Sequence, residues 1–418
     1  MGFIFVTLFL DVLGFGILIP VAPELVKTLL AKVDPAMGTE AAAAPYYGWL
    51  VSTYAIMTFF FAPVLGALSD RFGRRPVLLF SILGSGLDYL AMASAPSLWI
   101  LYLTRMFNGI TGASMTVCNA YIADVTRPDE RAKAYGMVGA AFGLGFIVGP
   151  LLGGILGGHN LRLPFYVAGG LALTNWLYGY FVLPESLKPE NRSHLKLSRM
   201  NPIAVFRGLR EHPLVRSMAG SLFMLNLAMF GLHSTWALYT GHRYGWDKTH
   251  IGLSLAVVGL GAAVVQGGLA RKLIPALGKG VIGERRALLL GILIGVLAYV
   301  GYGAAPAGWM IYAVIGLASL GGIAQPAGTA LITRSVRADE QGAVQGAITG
   351  LQSIAQIIAP LIATRIFAAA NPPVGTTTNF SGHPGLSFYY CAVLALVGLV
   401  LAWWATRNVG KEPRPASA

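Results

Sequence analysis

The chain has 418 residues, of which 55% are hydrophobic and only 11% are charged, and its mean hydropathy is +0.65. A soluble domain of this size cannot hide so much apolar surface, so the composition excludes an ordinary soluble protein and indicates a membrane protein. The formal net charge is +13. Because most basic residues fall in short polar loops between apolar runs, the charge predicts a fixed membrane orientation and not a nucleic-acid partner.

Twelve apolar runs are long enough to cross a bilayer, for which about 20 residues are needed. The positive-inside rule then places both termini in the cytoplasm. The predicted spans cover residues 3–30, 46–68, 76–95, 97–124, 134–157, 163–184, 214–241, 249–271, 286–305, 307–333, 340–368 and 385–406.

The longest polar connection divides the chain into two halves of six spans. We predict an N-terminal bundle over 1–184, a cytoplasmic linker over 185–213, a C-terminal bundle over 214–408 and a cytoplasmic tail over 409–418. Within the linker, residues 200–210 alternate apolar and basic side chains. This stretch is either a short helix on the inner membrane surface or a flexible connection.

The first span contains an acid, Asp11, among apolar residues. A carboxylate inside a bilayer is costly unless it is paired, hydrated or protonated, so an acid at this depth can carry protons. It can equally tie two helices together through a hydrogen bond.

The loop after the second span reads Gly-Ala-Leu-Ser-Asp-Arg-Phe-Gly-Arg-Arg-Pro over residues 66–76. Its glycines allow two helices to reverse direction within a few residues, Pro76 suits the first turn of the next helix, and its arginines anchor the reversal at the cytoplasmic face. The string resembles the signature loop of the major facilitator superfamily, and in particular that of the tetracycline/proton antiporters and their drug-efflux relatives. This resemblance implies an all-α membrane fold of twelve transmembrane helices in two six-helix bundles.

The resemblance also implies that this loop belongs to a conformational latch at the cytoplasmic face. In the family pattern Arg74 meets Asp124, and Asp70 meets the N-terminus of the eleventh helix near Gln341 and Gly342. Such contacts join the two halves only while the inner side is shut. The implied latch residues are Gly66, Asp70, Arg71, Gly73, Arg74, Asp124 and Arg131.

The third and fourth spans add Asp88, Arg105 and Asn108. An unpaired arginine in lipid is improbable, so Arg105 is expected to meet an acid, either Asp11 or Asp88, or helix carbonyls. The contexts of both acids and of Arg105 resemble those of tetracycline efflux proteins, which implies that Asp11, Asp88 and Arg105 couple transport to protons. Tyr54 in the second span faces either a cavity or lipid, and periodicity does not decide between them.

The fifth span carries glycines at four-residue spacing, which clear one helix face for close approach of another backbone, while Pro150 bends the helix. Close packing alone would explain this pattern. The string over 145–154 also resembles the motif that distinguishes drug/proton antiporters from many symporters. The motif residues are Gly145, Gly149, Pro150, Gly153 and Gly154.

The second half resembles the tetracycline exporters over 236–246 and 321–327 but departs from them in its chemistry. Those exporters carry a histidine in helix 8 and an aspartate in helix 9, whereas the matching positions here read Gly-Ala-Ala over 261–263 and Ile-Gly-Val over 294–296. Proton coupling must then rest mainly on the first half, and tetracycline itself becomes a doubtful substrate.

Several polar residues are candidates for a substrate site between the two bundles. They can equally be hydrogen bonds between helices. The candidates are Asp11, Asn108, His233, Trp236, Gln266, Gln325 and Gln352.

Together these features predict a monomeric, proton-coupled exporter of amphipathic small molecules in a bacterial inner membrane, in contact with lipids and driven by the proton gradient without a cofactor or a metal. The sequence has no paired catalytic motif and no phosphate-binding loop, so we do not expect an enzyme. A proton-coupled symporter, or another solute or lipid transporter of the same fold, is the alternative. A membrane receptor that transports nothing is a more distant one.

Overall fold

The computed structural model describes residues 2–112, 114–127, 130–193, 200–202, 206, 213–337, 340–372, 378 and 380–408, with the backbone alone at 131–133, 213–214 and 342–343. Throughout this part of the chain the regular structure is helical and no strand occurs. Most of the linker stretch 200–210 lies outside the described residues, so its two readings stay open.

In the described residues of the first half there are seven α-helices. Each follows an apolar run of the sequence. The second helix begins at a polar cap, where the Thr39 hydroxyl accepts a hydrogen bond from the Ala42 amide, and it ends at Gly73. The helices are α1 (Gly2–Ala31), α2 (Glu40–Phe72), α3 (Arg74–Ser94), α4 (Leu98–Thr111), α5 (Ser114–Val125), α6 (Arg131–His159) and α7 (Leu163–Val182).

The part of the second half that the structure describes contains eight α-helices. They are α8 (Pro213–Tyr244), α9 (Lys248–Val264), α10 (Ala270–Ala276), α11 (Val281–Ala304), α12 (Gly308–Gly321), α13 (Ala324–Arg334), α14 (Gln341–Ala370) and α15 (Leu386–Thr406). A π-helical segment, Val265–Leu269, joins α9 to α10.

Each of the twelve predicted spans is helical in the structure. Within the described residues, 10 continuous helical stretches are long and apolar enough to cross a membrane. The other two predicted spans correspond to the pair α4 and α5, which is interrupted at Gly112, and to α7. The predicted class, an all-α membrane protein of twelve transmembrane helices, is therefore confirmed.

The helices group into two compact units. The first consists of Met1–Ala204, His233–Gly259 and Pro360–Gly382, and the second of Val205–Leu232, Leu260–Ala359 and His383–Ala418. Apolar side chains of α1, α3 and α5, such as Leu8, Ile82 and Val117, pack in the core of the first unit. The predicted boundaries of the sequence halves, 1–184 and 214–408, stay a prediction.

Candidate functional site

An acid and an arginine form a buried ion pair inside the first unit. The Arg105 guanidinium on α4 contacts the Asp88 carboxylate on α3 through Nη2 and Oδ2. Asn108, one turn further along α4, donates a hydrogen bond of 2.5 Å from Nδ2 to the same carboxylate oxygen. All three side chains are buried. Of the two acids that the sequence leaves open as partners of Arg105, the structure pairs it with Asp88.

The pair is incompletely satisfied by hydrogen bonds. Asp88 Oδ1 and Arg105 Nε are buried, and neither has a hydrogen-bond partner in the described part of the chain. A buried ion pair is favourable only when further interactions compensate for the lost water. Two aromatic rings supply such an interaction here, since the Arg105 guanidinium carbon lies 5.7 Å from the ring centre of Tyr54 and 5.8 Å from that of Tyr89. The sequence leaves Tyr54 undecided and does not single out Tyr89.

Asp11 lies near this pair, on α1. Its half-buried carboxyl group interacts with the hydroxyl of Ser114, the first residue of α5 after the interruption at Gly112. The hydroxyl of Tyr89 packs against Gly14, one turn along α1 from Asp11, so closely that a Cβ at Gly14 would collide with it. The structure thus brings both predicted coupling acids and Arg105 into one neighbourhood.

A second charge cluster lies where α2 ends and α3 begins. The Arg74 guanidinium contacts Asp70 Oδ1 at 2.5 Å and Asp124 Oδ2 at 3.1 Å, and it donates a hydrogen bond of 2.7 Å to Ser69 Oγ. The contact between Arg74 and Asp124 that the family pattern implied is therefore present.

The turn between α2 and α3 depends on a glycine and on an acid that no sequence motif singles out. Gly73 has a φ of 108°, and a Cβ at this position would collide with the Glu185 carboxylate. Glu185 Oε1 accepts a hydrogen bond of 2.8 Å from the Arg74 amide, and Oε2 accepts one of 3.3 Å from the Arg75 amide. A carboxylate at the amino end of a helix is stabilised by the free amides and the helix dipole. The one signal in the sequence is an acid directly after the sixth span.

Two other predicted latch residues make different contacts in the described part of the chain. Gly66 faces Thr116, whose methyl group would lie 3.6 Å from a Cβ there, and Arg71 stacks on Phe72. The side chain of Arg131 lies outside the described residues. The implied meeting of Asp70 with the amino end of the eleventh span stays a prediction.

The glycines of the fifth span provide a packing face on α6. A Cβ at Gly145 would lie 2.8 Å from Val12, and at Gly149 and Gly153 it would lie 2.6 Å from the carbonyl oxygens of Leu13 and Ile17 on α1. Gly154 faces α9 instead, and a Cβ at Gly154 would lie 3.1 Å from the Cα of Gly252. The close-packing interpretation of this pattern is confirmed, and Pro150 lies inside α6 beside Gly16 of α1.

In the second unit, two predicted substrate-site residues share a cavity of about 710 Å³. Gln266 contributes from the π-helical segment and Gln325 from α13, and Thr329, Thr333 and Arg334 continue the lining along α13. The spacing of Gln325, Thr329 and Thr333 is four residues, which places them on one helix face. That spacing is a sequence signal for the two threonines, which were not among the predicted site residues.

The remaining candidates are more dispersed. Trp236 is buried and donates a hydrogen bond of 3.0 Å from its indole nitrogen to Ser254 Oγ, while the His233 ring lies 6.1 Å from that of Phe146. Gln352 is exposed on α14. These positions leave the proposed substrate roles as predictions.

Known proteins with the same fold complete the description. The family model of the Major Facilitator Superfamily matches residues 4–360 and 281–418. Among solved structures, the human organic anion transporter MFSD10 (TETRAN) has a TM-score of 0.70 at 24% identity, covering 96% of this chain and 98% of that one. A bacterial homolog of the human lysosomal transporter Spinster, in an inward-facing and occupied conformation, has a TM-score of 0.76 at 16% identity, covering 99% and 98%.

Curated relatives narrow the class. The class C tetracycline resistance protein of Escherichia coli is 40% identical over 93% of its own length and 94% of this chain, and the class G protein of Vibrio anguillarum is 38% identical over 88% and 86%. The fold and the buried charges define a multi-pass membrane transporter. The chain belongs to the major facilitator superfamily, and within it to the family of the tetracycline resistance proteins.

Proposed function

We propose that the protein is a proton-coupled antiporter that exports amphipathic small molecules related to tetracycline. The observation that carries this proposal is the buried pair of Asp88 and Arg105, whose carboxylate keeps one oxygen without a hydrogen-bond partner in the described part of the chain. Identity of 33–40% with several tetracycline resistance proteins supports the substrate class. The protein carries out no catalysis and uses no cofactor, because the proton gradient supplies the energy.

In this mechanism the acid sites exchange protons for substrate. A proton that binds Asp88 neutralises its carboxylate and breaks the ion pair with Arg105. A cationic or amphipathic substrate would compete with the proton for the Asp88 carboxylate. The transporter therefore carries the substrate in one direction and the proton in the other. For each proton that moves inward, the membrane potential supplies about 2.3 kcal/mol per 100 mV.

Alternating access requires contacts at one end of the helices to break. In the first unit, α6 packs closely against α9 at Gly154 and Gly252, and Lys248 Nζ on α9 lies 3.6 Å from Glu24 Oε2 on α1. We assign this end to the outside of a bacterial inner membrane, with both termini in the cytoplasm, because the basic loops cluster at the opposite ends of the spans. The transporter acts as a monomer.

The test is a flux measurement in liposomes. Purified protein is reconstituted with a pH-sensitive dye inside, a proton gradient is imposed, and tetracyclines, lipophilic cations and neutral amphiphiles are added in turn. We expect proton flux opposite to substrate movement in the wild type and none in Asp88→Asn or Asp11→Asn. Asp34→Asn is the matched control, because Asp34 is exposed in the loop after α1 and its amide replacement keeps the oxygen that accepts from the Ala36 amide.

The same measurement separates the alternatives. Proton and substrate fluxes in the same direction would assign symport. No substrate-dependent flux with any compound would overturn the proposed export of such molecules.

A cysteine pair tests alternating access directly. A Cβ at Gly158 on α6 would lie 3.1 Å from Thr249 Oγ1 on α9, which brings the two β-carbons close to disulfide distance. We expect oxidation of Gly158→Cys/Thr249→Cys to stop transport and reduction to restore it. The single Thr249→Cys variant should be insensitive to oxidation, and full transport by the cross-linked pair would contradict the assignment of this end as a gate.

A further inference from the structure

Arg105 is surrounded by aromatic faces as well as by its acid. The rings of Tyr54 on α2 and Tyr89 on α3 both lie within the distance of about 6 Å at which a guanidinium is attracted to a ring face. Both rings are thus within interaction range of Arg105 while Asp88 is already in contact with it. The guanidinium therefore has two kinds of partner, one that can take up a proton and one that cannot.

The packing of neighbouring helices holds both tyrosines in place. A Cβ at Gly109 on α4 would lie 2.7 Å from the carbonyl oxygen of Tyr54, so α2 and α4 approach closely beside Arg105. On the other side, the Tyr89 hydroxyl packs against Gly14 of α1. Close packing against α4 therefore positions the backbone of Tyr54, and close packing against α1 positions the ring of Tyr89.

Protonation of Asp88 creates a physical difficulty that these rings can relieve. Arginine stays charged in proteins, so a proton on Asp88 leaves a buried cation without its counter-ion. Such a cation would be costly at this depth, and it would tend to move away from the site or to prevent protonation altogether. The quadrupole of an aromatic ring attracts a cation regardless of the state of Asp88.

We propose that Tyr54 and Tyr89 are positioning residues for Arg105, whose ring faces hold the guanidinium in place while Asp88 carries a proton. One proton adds to the Asp88 carboxylate and the ion pair opens, Arg105 keeps its own proton throughout, and loss of the proton restores the pair. In the ionised state the guanidinium is held against Asp88, whereas after protonation it is free to settle onto the ring faces, so the rings stabilise the protonated state more than the ionised state. This inference rests on the proposed function, because it assigns Asp88 as a proton carrier.

Other titratable groups near the pair must be separated from it in any test. Tyr54 and Tyr89 also lie within electrostatic range of Asp11 on α1, and so does Cys118 on α5. A readout that reports the Asp88 carboxyl alone is therefore needed.

Infrared difference spectroscopy provides that readout on purified protein, without transport. The band of a protonated carboxyl group is assigned to Asp88 by its absence in Asp88→Asn and is followed as a function of pH. We expect Tyr54→Leu and Tyr89→Leu to move the midpoint of this band to lower pH, by about half to one unit each. Tyr54→Phe and Tyr89→Phe, which keep the ring face, should titrate near the wild type.

Tyr302→Leu is the matched control, since Tyr302 is a buried tyrosine of the second unit that packs on Phe388. It should leave the Asp88 midpoint unchanged. If a leucine variant does not accumulate, methionine replaces it, because methionine fills similar space without a ring face.

Three results would overturn the proposal. These are leucine variants that titrate like the wild type, phenylalanine variants that shift as far as leucine, and an Asp88 carboxyl that takes up no proton in the stable range of the protein. The liposome measurement reports the proposed function separately: opposite fluxes together with an unmoved midpoint would reject the role of the rings and keep the antiporter.

Discussion

The ion pair of the first half lies inside the helices, whereas a comparable pair of the second half lies at a helix end. The side chains of Asp88 and Arg105 are 0% and 7% exposed. In the second half, Arg334 at the end of α13 contacts Glu284 at the start of α11 at 3.1 Å, with side chains that are 60% and 10% exposed. Water can hydrate Arg334 whatever the charge of its partner, but it cannot reach Arg105 to the same degree.

The difference in exposure between the two ion pairs indicates where the gain or loss of a charge can drive a conformational change. An exposed pair contributes about 0–1 kcal/mol, so gain or loss of one charge alters little. A buried pair that loses one charge leaves an uncompensated ion, which shifts the free energy of the surrounding helices. Proton coupling is therefore expected in the first half, and the second half supplies amide and hydroxyl groups such as those that line the cavity beside Gln266 and Gln325.

The largest effect is expected for Arg105→Gln. The substitution leaves the Asp88 carboxylate buried without a cation, which costs about 3–5 kcal/mol in comparable sites. We expect a lower melting temperature in detergent and complete loss of transport. The double variant Arg105→Gln/Asp88→Asn should recover stability but not transport, and a single variant as stable as the wild type would show that the pair is hydrated.

The second largest effect is expected for Gly149→Ala on α6, which tests helix packing in the first half. The new methyl group would lie 2.6 Å from the Leu13 carbonyl oxygen, so α1 and α6 must separate, at a cost of about 1–3 kcal/mol. Thermal unfolding and transport are the measurements. Gly143→Ala on the same helix is the control, because no described atom outside its own helix lies within 4 Å of a Cβ there. Equal losses in both variants would contradict close packing as the reason for the motif.

Asp70→Asn should have a smaller effect, on rate more than on stability. It removes one acid from Arg74, which keeps its contacts with Asp124 and Ser69. Because Asp70 is partly exposed, folding and insertion should change by less than about 1 kcal/mol. We expect transport to slow severalfold, as measured by initial rates at matched protein density, and a normal rate would argue against a latch at this loop.

The smallest effect is expected for Glu284→Gln, which is the counterpart of Asp88→Asn in the second half. Glu284 Oε2 is buried without a hydrogen-bond partner among the described residues, while Arg334 remains hydrated. The free energy of unfolding should change by at most about 1 kcal/mol, with proton-driven transport retained. Loss of coupling comparable to that of Asp88→Asn would remove the distinction between the two pairs.

Much of this arrangement is predictable from sequence because it depends on local composition. Apolar runs of spanning length determine the helices, and glycines at four-residue spacing in the fifth span determine a flat face, whichever helix meets it. The family pattern of the loop over 66–76 also predicts the contact between Arg74 and Asp124. Arg105 and Asn108 are one helical turn apart, so their spacing alone places them on the same side of a helix.

Other features depend on how helices far apart in sequence pack together. The choice of Asp88 over Asp11 as the partner of Arg105 follows from the packing of α3 on α4. The cap that Glu185 forms on α3 depends on the end of α7 lying beside Gly73. Neither contact has a periodic signal in the sequence, because each joins one acidic side chain to a segment that is distant along the chain.

The membrane class, the number of spans and the residues that can carry charge in the bilayer are all predictable from the chain alone, because each depends on hydrophobicity and residue type along one segment. The contact of Arg105 with Asp88, and its place beside the rings of Tyr54 and Tyr89, become visible only in the packed fold. The physical reason is that the rotation and depth of each membrane helix are set by close contacts between helices, such as that of Gly109 with Tyr54. Those contacts exist only once the helices have packed.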